Sequence, residues 1–182
     1  MRTLFAALFL FLIVAGCAGM GESTPSATAS LQPTKGSQVG GTVTFTQKGN
    51  KVLVAANVNG LKPGLHGFHI HEKGDCSAAD AMSAGGHFNP SGVPHGAPNS
   101  APHHAGDLGN LDADSSGDAR LSMEVEGISL DTTADNNIIG RSVIVHANPD
   151  DLKSQPAGNS GPRMACGVIH FVEKTKPGYS SY

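Results

Sequence analysis

Histidines at short, regular spacing are the residues of this sequence most able to do chemistry. His69 and His71 alternate with two apolar residues, so on a β-strand both imidazoles would lie on one face while the apolar side chains enter a core. Residues two apart on a strand are separated by about 7 Å, which lets both rings reach one metal ion. His146 ends another apolar stretch and is expected to project in the same way. These spacings indicate a metal site, although one such pair alone is weak evidence.

A second group of candidate ligands lies in the stretch from residue 73 to residue 107. This stretch is rich in Gly, Pro, Ser and Asn and lacks apolar periodicity, so something other than apolar burial must order it. Three imidazoles and one carboxylate are a donor set typical of tetrahedral zinc. The alternative is a solvated loop whose histidines have no function, but it does not explain why so many histidines fall in this one segment. The candidates are His87, His95, His103, His104 and Asp107.

The elements that must position these residues read as β-strands. Apolar and polar residues alternate on both sides of a turn at residues 48–50, which predicts a first hairpin. Nothing beyond the N-terminal segment has a helical apolar period. We therefore predict an all-β antiparallel sandwich or barrel with two long functional loops, at residues 73–107 and 148–164. Further strands are predicted at residues 121–126, 142–146 and 168–172.

Composition supports one small β-domain and excludes a nucleic-acid partner. The chain has 182 residues, with 24 Gly and 11 Pro, which suits strands joined by long turns. Charged residues make up 15% of the sequence and the formal net charge is -3, so no basic surface for nucleic acid is expected.

The N-terminus reads as a targeting segment. The apolar run at residues 4–14 is shorter than the roughly 20 residues that cross a bilayer. Residues 14–17 resemble a bacterial lipoprotein box, in which Cys17 would be lipidated; an ordinary signal peptide with an incidental Cys17 is the alternative. If Cys17 carries lipid, Cys76 and Cys166 remain to form a disulfide, which an oxidising compartment permits.

Domain boundaries follow from these segments. Residues 1–16 are predicted to be a lipoprotein signal peptide. Residues 17–38, rich in small and polar residues, are predicted to be a flexible tether. Residues 39–174 would form the folded domain and residues 175–182 a C-terminal tail. The protein is accordingly expected in the bacterial cell envelope, anchored to a membrane and facing the periplasm or the exterior.

Five motifs, in order along the chain, resemble the copper/zinc superoxide dismutase family. This resemblance implies a Greek-key β-sandwich or barrel. It also implies an enzyme that converts two superoxide anions and two protons to oxygen and hydrogen peroxide as copper is alternately reduced and oxidised. The motifs are Gly64 to Glu72, Gly86 to Pro90, Gly106 to Asn110, Ile139 to His146 and Arg163 to Ile169.

The resemblance also implies one copper and one zinc per subunit and a role for each site residue. His87 would bridge the two ions and help to supply protons, and Arg163 would attract and orient superoxide beside copper. Asp150 would link a copper histidine to a zinc histidine. His104 is preferred to His103 because the family spacing is His-x-x-Asp. The implied copper ligands are His69, His71, His87 and His146, and the implied zinc ligands are His87, His95, His104 and Asp107.

Some features depart from the family pattern and leave questions open. The segment after Asp150 is shorter than in the familiar eukaryotic enzymes, and Ala157 stands where they carry a threonine. The source of steering charge and the dimer interface are therefore undecided, although a homodimer is compatible with the sequence. A metal-buffering lipoprotein without activity is the main alternative, but it would be expected to lose a copper ligand, the bridge or Arg163. A structural adhesion sandwich would leave the histidines unexplained.

Overall fold

The protein folds into a closed antiparallel β-barrel. The computed structural model describes residues 24–98 and 100–172. Strand β1 pairs with β2 on one edge and with β8 on the other, so the order β1-β2-β3-β6-β5-β4-β7-β8 closes on itself. The strands are β1 (Ser26–Pro33), β2 (Gly40–Lys48), β3 (Lys51–Asn59), β4 (Gly64–His71), β5 (Asp107–Ala113), β6 (Ala119–Val125), β7 (Ser142–His146), β8 (Arg163–Val168) and β9 (His170–Phe171).

The connections have Greek-key character, because β3 lies beside β6 and β4 lies beside β7. The predicted all-β antiparallel fold is therefore confirmed, and closure makes it a barrel. The predicted first hairpin is also confirmed as β2 and β3, paired as far as Lys48 and Lys51. The helical content of the described segments is one short 3-10 turn, Met82–Ala84, and they contain no helix long and apolar enough to cross a membrane.

Two predicted boundaries are wrong. The tether predicted over residues 17–38 contains strand β1, in which Ala27, Ala29 and Leu31 are buried in the barrel core. Small alternating side chains fit between β2 and β8 but give only a weak apolar signal in the sequence. The last strand, predicted at residues 168–172, is divided: β8 ends its pairing with β7 at Val168, and β9 pairs with β1 instead.

Strand β4 places the first histidine pair as the alternation predicts. Phe68 and Ile70 are fully buried inside the barrel. His69 and His71 point to the other face, yet they are only 0% and 1% exposed. They are buried because this face of β4 and β7 lies beneath the two long loops, residues 72–106 and 147–162. The predicted long loops therefore cover the barrel wall that carries the candidate ligands.

Candidate metal centre

The structure brings the candidate ligands together in two clusters that share one residue. Within each cluster, one nitrogen or oxygen atom per residue lies within 4.8 Å of the corresponding atoms of the others. His87 belongs to both, while His103 belongs to neither and its Nδ1 lies 2.8 Å from the carbonyl oxygen of His104. The clusters are His69, His71, His87 and His146, and His87, His95, His104 and Asp107.

The cluster around Asp107 has the geometry of a tetrahedral site. Asp107 Oδ1 lies 2.8, 3.0 and 3.2 Å from the Nδ1 atoms of His87, His95 and His104. The Nδ1 atoms of His87 and His104 are 3.5 Å apart. Bonds of about 2.0–2.1 Å to zinc would give tetrahedral edges of about 3.3 Å. The donor set and its spacing therefore fit zinc, and we refer to this group of four residues as the zinc-type cluster.

The second carboxylate oxygen of Asp107 is already occupied by the backbone. It accepts hydrogen bonds from the N–H groups of Gly96 and His104, at 3.1 and 2.8 Å. These bonds fix the carboxylate so that Oδ1 faces the three imidazoles. The loop backbone thus orients the one charged ligand of this cluster.

The other cluster presents buried nitrogens that have no hydrogen-bond partner among the described residues. His71 Nε2, His87 Nε2 and His146 Nε2 are among them, together with His69 Nδ1. A buried polar atom left unpaired is costly, so a ligand that satisfies all four at once is strongly favoured. Four imidazoles are a donor set that suits copper, and we refer to these four histidines as the copper-type cluster.

In two histidines of the copper-type cluster, the ring nitrogen on the far side from the candidate metal site is held by a backbone carbonyl oxygen. His71 Nδ1 donates to the carbonyl oxygen of Gly85 at 2.9 Å, and His146 Nδ1 donates to that of Gly161 at 3.1 Å. These bonds select the tautomer that leaves Nε2 free to bind a metal. The rings are therefore oriented for binding by the protein itself.

Burial keeps this cluster in the uncharged form that binds a metal. Removal from water lowers the pKa of His69 to about 4 and that of His146 to about 3. It also lowers the pKa of His71 well below its ordinary value. Neutral imidazoles are the species that coordinate metal ions, so no proton has to be displaced from these three residues near pH 7.

The zinc-type cluster has the opposite electrostatic character. Burial acts to raise the pKa of Asp107 and of Asp150, but hydrogen bonds from histidines outweigh it and hold both pKa values well below the ordinary range. His95 lies between these two carboxylates. Burial acts to lower its pKa, yet hydrogen bonds to Asp107 and Asp150 raise the pKa of His95 to about 9. In the metal-free protein His95 therefore holds a proton that a bound metal would displace.

Asp150 connects the two clusters, as the family resemblance implies. Its carboxylate accepts from His69 Nε2 at 2.8 Å and from His95 Nε2 at 3.0 Å. Asn110 fixes the Asp150 backbone by accepting from its N–H at 2.7 Å and donating to its carbonyl oxygen at 3.0 Å. Gly158 has φ +62° and passes so close that a Cβ there would collide with the carboxylate. One side chain thus orients a ligand in each cluster.

Arg163 lies at an open cleft of about 890 Å³ that reaches the copper-type cluster. The cleft is lined by His71, His87 and His146 as well as by Arg163. The guanidinium donates to the carbonyl oxygens of Ala81 and Gly85, at 2.7 and 2.6 Å. Gly85 is also the residue that holds His71, so the arginine is fixed next to a candidate copper ligand.

Sequence reasoning missed two contributors to these sites. Lys35 falls in the predicted tether, yet the turn between β1 and β2 brings it to the wall of the cleft. Arg141 lies in a quoted motif without an assigned role; its guanidinium stacks 3.6 Å from the ring of Phe88 and donates to the carbonyl oxygen of Glu72. Arg141 therefore links Glu72, which follows His71, to Phe88, which follows His87. Only a three-dimensional contact reveals either role.

The predicted disulfide is confirmed. Cys76 and Cys166 are bonded, with their Cα atoms 5.8 Å apart. The bond joins the first long loop to β8. It packs with Ala81, whose carbonyl oxygen holds Arg163. The disulfide therefore supports the wall of the cleft.

A closed antiparallel barrel with two ligand clusters that share a histidine defines a dinuclear metalloprotein, with one set suited to redox-active copper and the other to zinc. Residues 39–169 match the family model for copper/zinc superoxide dismutase (SODC). The chain belongs to this family, and it is an oxidoreductase whose cofactors are copper and zinc.

Proposed function

We propose that this protein dismutates superoxide at the bacterial cell envelope, to which a lipid on Cys17 anchors it, and so protects the envelope from superoxide. The observation that carries the activity is one cleft lined by three of the four candidate copper ligands, among them the shared His87, together with a fixed arginine. A metal-buffering protein would have no need for an anion-attracting residue beside its copper.

The chain's own residues have distinct tasks in this reaction. Copper, when bound, supplies the one-electron redox chemistry. Burial lowers the pKa of Arg163, but a guanidinium remains charged near pH 7. Arg163 would therefore attract superoxide and orient it at the inner end of the cleft.

His87 is placed to handle protons. Its Nδ1 is directed at the zinc-type cluster, whereas its Nε2 belongs to the copper-type cluster and has no hydrogen-bond partner in the part of the chain that the structure describes. Nε2 can therefore hold a proton while Nδ1 keeps its position. A group at the inner end of the cleft that gains and loses one proton suits a reaction that consumes protons with each cycle.

The assay that tests this activity uses copper- and zinc-loaded protein and superoxide-dependent cytochrome reduction. A dismutase inhibits that reduction catalytically, at protein concentrations far below that of superoxide. A metal buffer would bind both ions yet inhibit the reduction at most once per protein molecule, and that result would overturn the proposal.

The anchor is supported by the lipoprotein-like residues 14–17 and by the disulfide, which is typical of an oxidising compartment. Cys17, the signal segment 1–16 and the predicted C-terminal tail 175–182 lie outside the described residues. We predict that the mature protein begins at an acylated Cys17 and that Cys17→Ala releases it from membranes. Mass spectrometry of the N-terminus and membrane fractionation check this; wild-type protein that is wholly soluble with an unmodified N-terminus would contradict it.

The proposed partners are superoxide as substrate and the membrane through the lipid. A second copy of the chain in a homodimer is an additional proposal, drawn from the family resemblance. Sedimentation of the purified domain at micromolar concentration distinguishes that dimer from a monomer.

A further inference from the structure

Gln155 makes a paired contact with the backbone of a zinc-cluster residue. Its Oε1 accepts from the N–H of His95 at 2.8 Å, and its Nε2 donates to the carbonyl oxygen of the same residue at 2.9 Å. Both backbone groups of His95 are thus satisfied by one side chain that lies 60 residues further along the chain. Only a neutral side-chain amide of this length offers one donor and one acceptor in this arrangement.

The loop that carries Gln155 is held together by its own hydrogen bonds. The Asp151 carboxylate accepts from the N–H groups of Lys153 and Ser154 and from the side chain of Asn159, at 3.1, 2.8 and 3.0 Å. The backbone of Gly158 closes the loop by donating to the carbonyl oxygen of Ser154 at 2.7 Å. The loop therefore has a defined shape of its own, and Gln155 projects from it to His95.

This loop holds His95 at three points. Asp150 accepts from the ring Nε2, Gln155 binds the backbone, and Gly158 lies so close to the ring that a Cβ there would collide with Nε2. His95 is consequently only 3% exposed, although it lies in a loop that contains little regular structure. The ring cannot turn away from the cluster unless the loop at residues 150–160 moves.

We propose that Gln155 is a positioning residue that retains zinc by clamping the backbone of His95. Dissociation of zinc requires His95 to withdraw, and withdrawal breaks both hydrogen bonds to Gln155. Asp150 also orients a ligand of the copper-type cluster, whereas the hydrogen bonds of the Gln155 side chain within the described residues go to the backbone of His95 and Lys153. Gln155 therefore affects zinc retention selectively.

The experiment compares metal-loaded wild-type protein with Gln155→Met and Gln155→Glu, and zinc release to a chromophoric chelator is followed. Methionine has a similar length but makes neither hydrogen bond. Glutamate places a second acceptor opposite the carbonyl oxygen of His95. Loss of one or two neutral hydrogen bonds should accelerate zinc release on the order of tenfold. Before the chelator is added, the visible absorption of bound copper should be the same in the variants as in the wild type.

Gln32→Met is the matched control. Gln32 lies on the exposed side of β1, and its amide donates to the nearby Ser30 hydroxyl, far along the chain from the zinc ligands. This variant should release zinc at the wild-type rate. Rates of global unfolding, followed by circular dichroism, should be nearly equal in all four proteins.

Zinc release at the wild-type rate in both Gln155 variants would overturn the proposal. An acceleration that Gln32→Met reproduces, or one that only parallels faster global unfolding, would also overturn it. If Gln155→Met does not fold, Gln155→Glu still decides the question. The proposal rests on zinc binding by His95 and not on dismutase activity, so an inactive protein that loses zinc faster without Gln155 would still support it.

Discussion

Metal binding in each cluster depends on the orientation of individual imidazole rings. His87 belongs to both clusters, with Nδ1 directed at one and Nε2 at the other. Replacing it with alanine leaves three candidate ligands in each cluster. We therefore expect His87→Ala to bind both metals more weakly but not to lose them, and to lose most of its turnover because the proton-handling nitrogen is gone. Metal analysis after dialysis and superoxide decay by pulse radiolysis measure the two effects. Wild-type activity in this variant would refute the mechanism even if both metals remained.

His95 makes zinc binding depend on pH. Its pKa is raised to about 9, so the metal-free protein carries a proton there at pH 7 that zinc must displace. Zinc affinity should rise with pH up to about 9 and level off above it. Calorimetric titrations in buffers of different ionisation enthalpy count the protons released. Zinc binding at pH 7 with no proton release would contradict this assignment.

At the scale of strands and loops, the sequence predicts the framework better than the contacts between its parts. Alternation identifies β2 and β3 because one face of each strand is buried, and it identifies β4 because apolar residues alternate with histidines there. It misses β1, since Ala27 and Ala29 are small enough to look like linker residues. The pairing of Gln155 with His95 could not be predicted, because it joins two loops that lack periodicity and are 60 residues apart.

The disulfide is the covalent link between the first long loop and the barrel. Its two cysteines are 90 residues apart, so in the chain-entropy model the bond stabilises the fold by about 4–5 kcal/mol. Replacing Cys76 and Cys166 together with serine should lower the free energy of unfolding by a comparable amount. It should also lower activity, because the carbonyl oxygen that holds Arg163 is supported by this bond.

Urea unfolding of the metal-free forms isolates this effect from metal binding. The wild-type protein should lose the same stability when its Cys76–Cys166 disulfide is reduced under mild conditions. An unchanged unfolding midpoint in both the double variant and the reduced protein would show that the disulfide contributes nothing to the fold.

For the whole molecule, barrel closure brings distant segments to one cleft. The loop after β1 supplies Lys35, the first long loop supplies His87, and β8 supplies Arg163. Both ligand sets could be predicted because the sequence motifs resemble the copper/zinc superoxide dismutase family, and the structure brings the same residues together. The motifs could not predict Lys35, because its place depends on the pairing of β1 with both β2 and β8.

The charge of the whole chain makes the cleft cations important for substrate encounter. The formal net charge is -3, so an anion such as superoxide is repelled unless a local positive charge offsets the repulsion. At a separation of about 6 Å and an effective dielectric of about 20 to 80, one cation attracts superoxide by about 1–3 kcal/mol. Arg163→Ala should therefore lower kcat/KM by about one to two decades, and Arg163→Glu should lower it further.

Salt dependence separates local attraction from a general charge effect. Screening acts over about 10 Å at 0.1 M, so the wild-type rate should fall as salt rises, while repulsion in Arg163→Glu should flatten or invert that slope.

Lys35→Glu should lower the rate less than Arg163→Glu does. Lys35 is exposed on the cleft wall and, unlike Arg163, is not held beside a candidate copper ligand. Lys48→Glu makes the same charge change at the β2–β3 turn, away from the cleft, and should leave the rate nearly unchanged. Pulse radiolysis at matched copper occupancy measures all four. Equal rates and slopes for the wild type and Arg163→Glu would remove Arg163 from the mechanism, and an equal loss in Lys48→Glu would assign the effect to net charge alone.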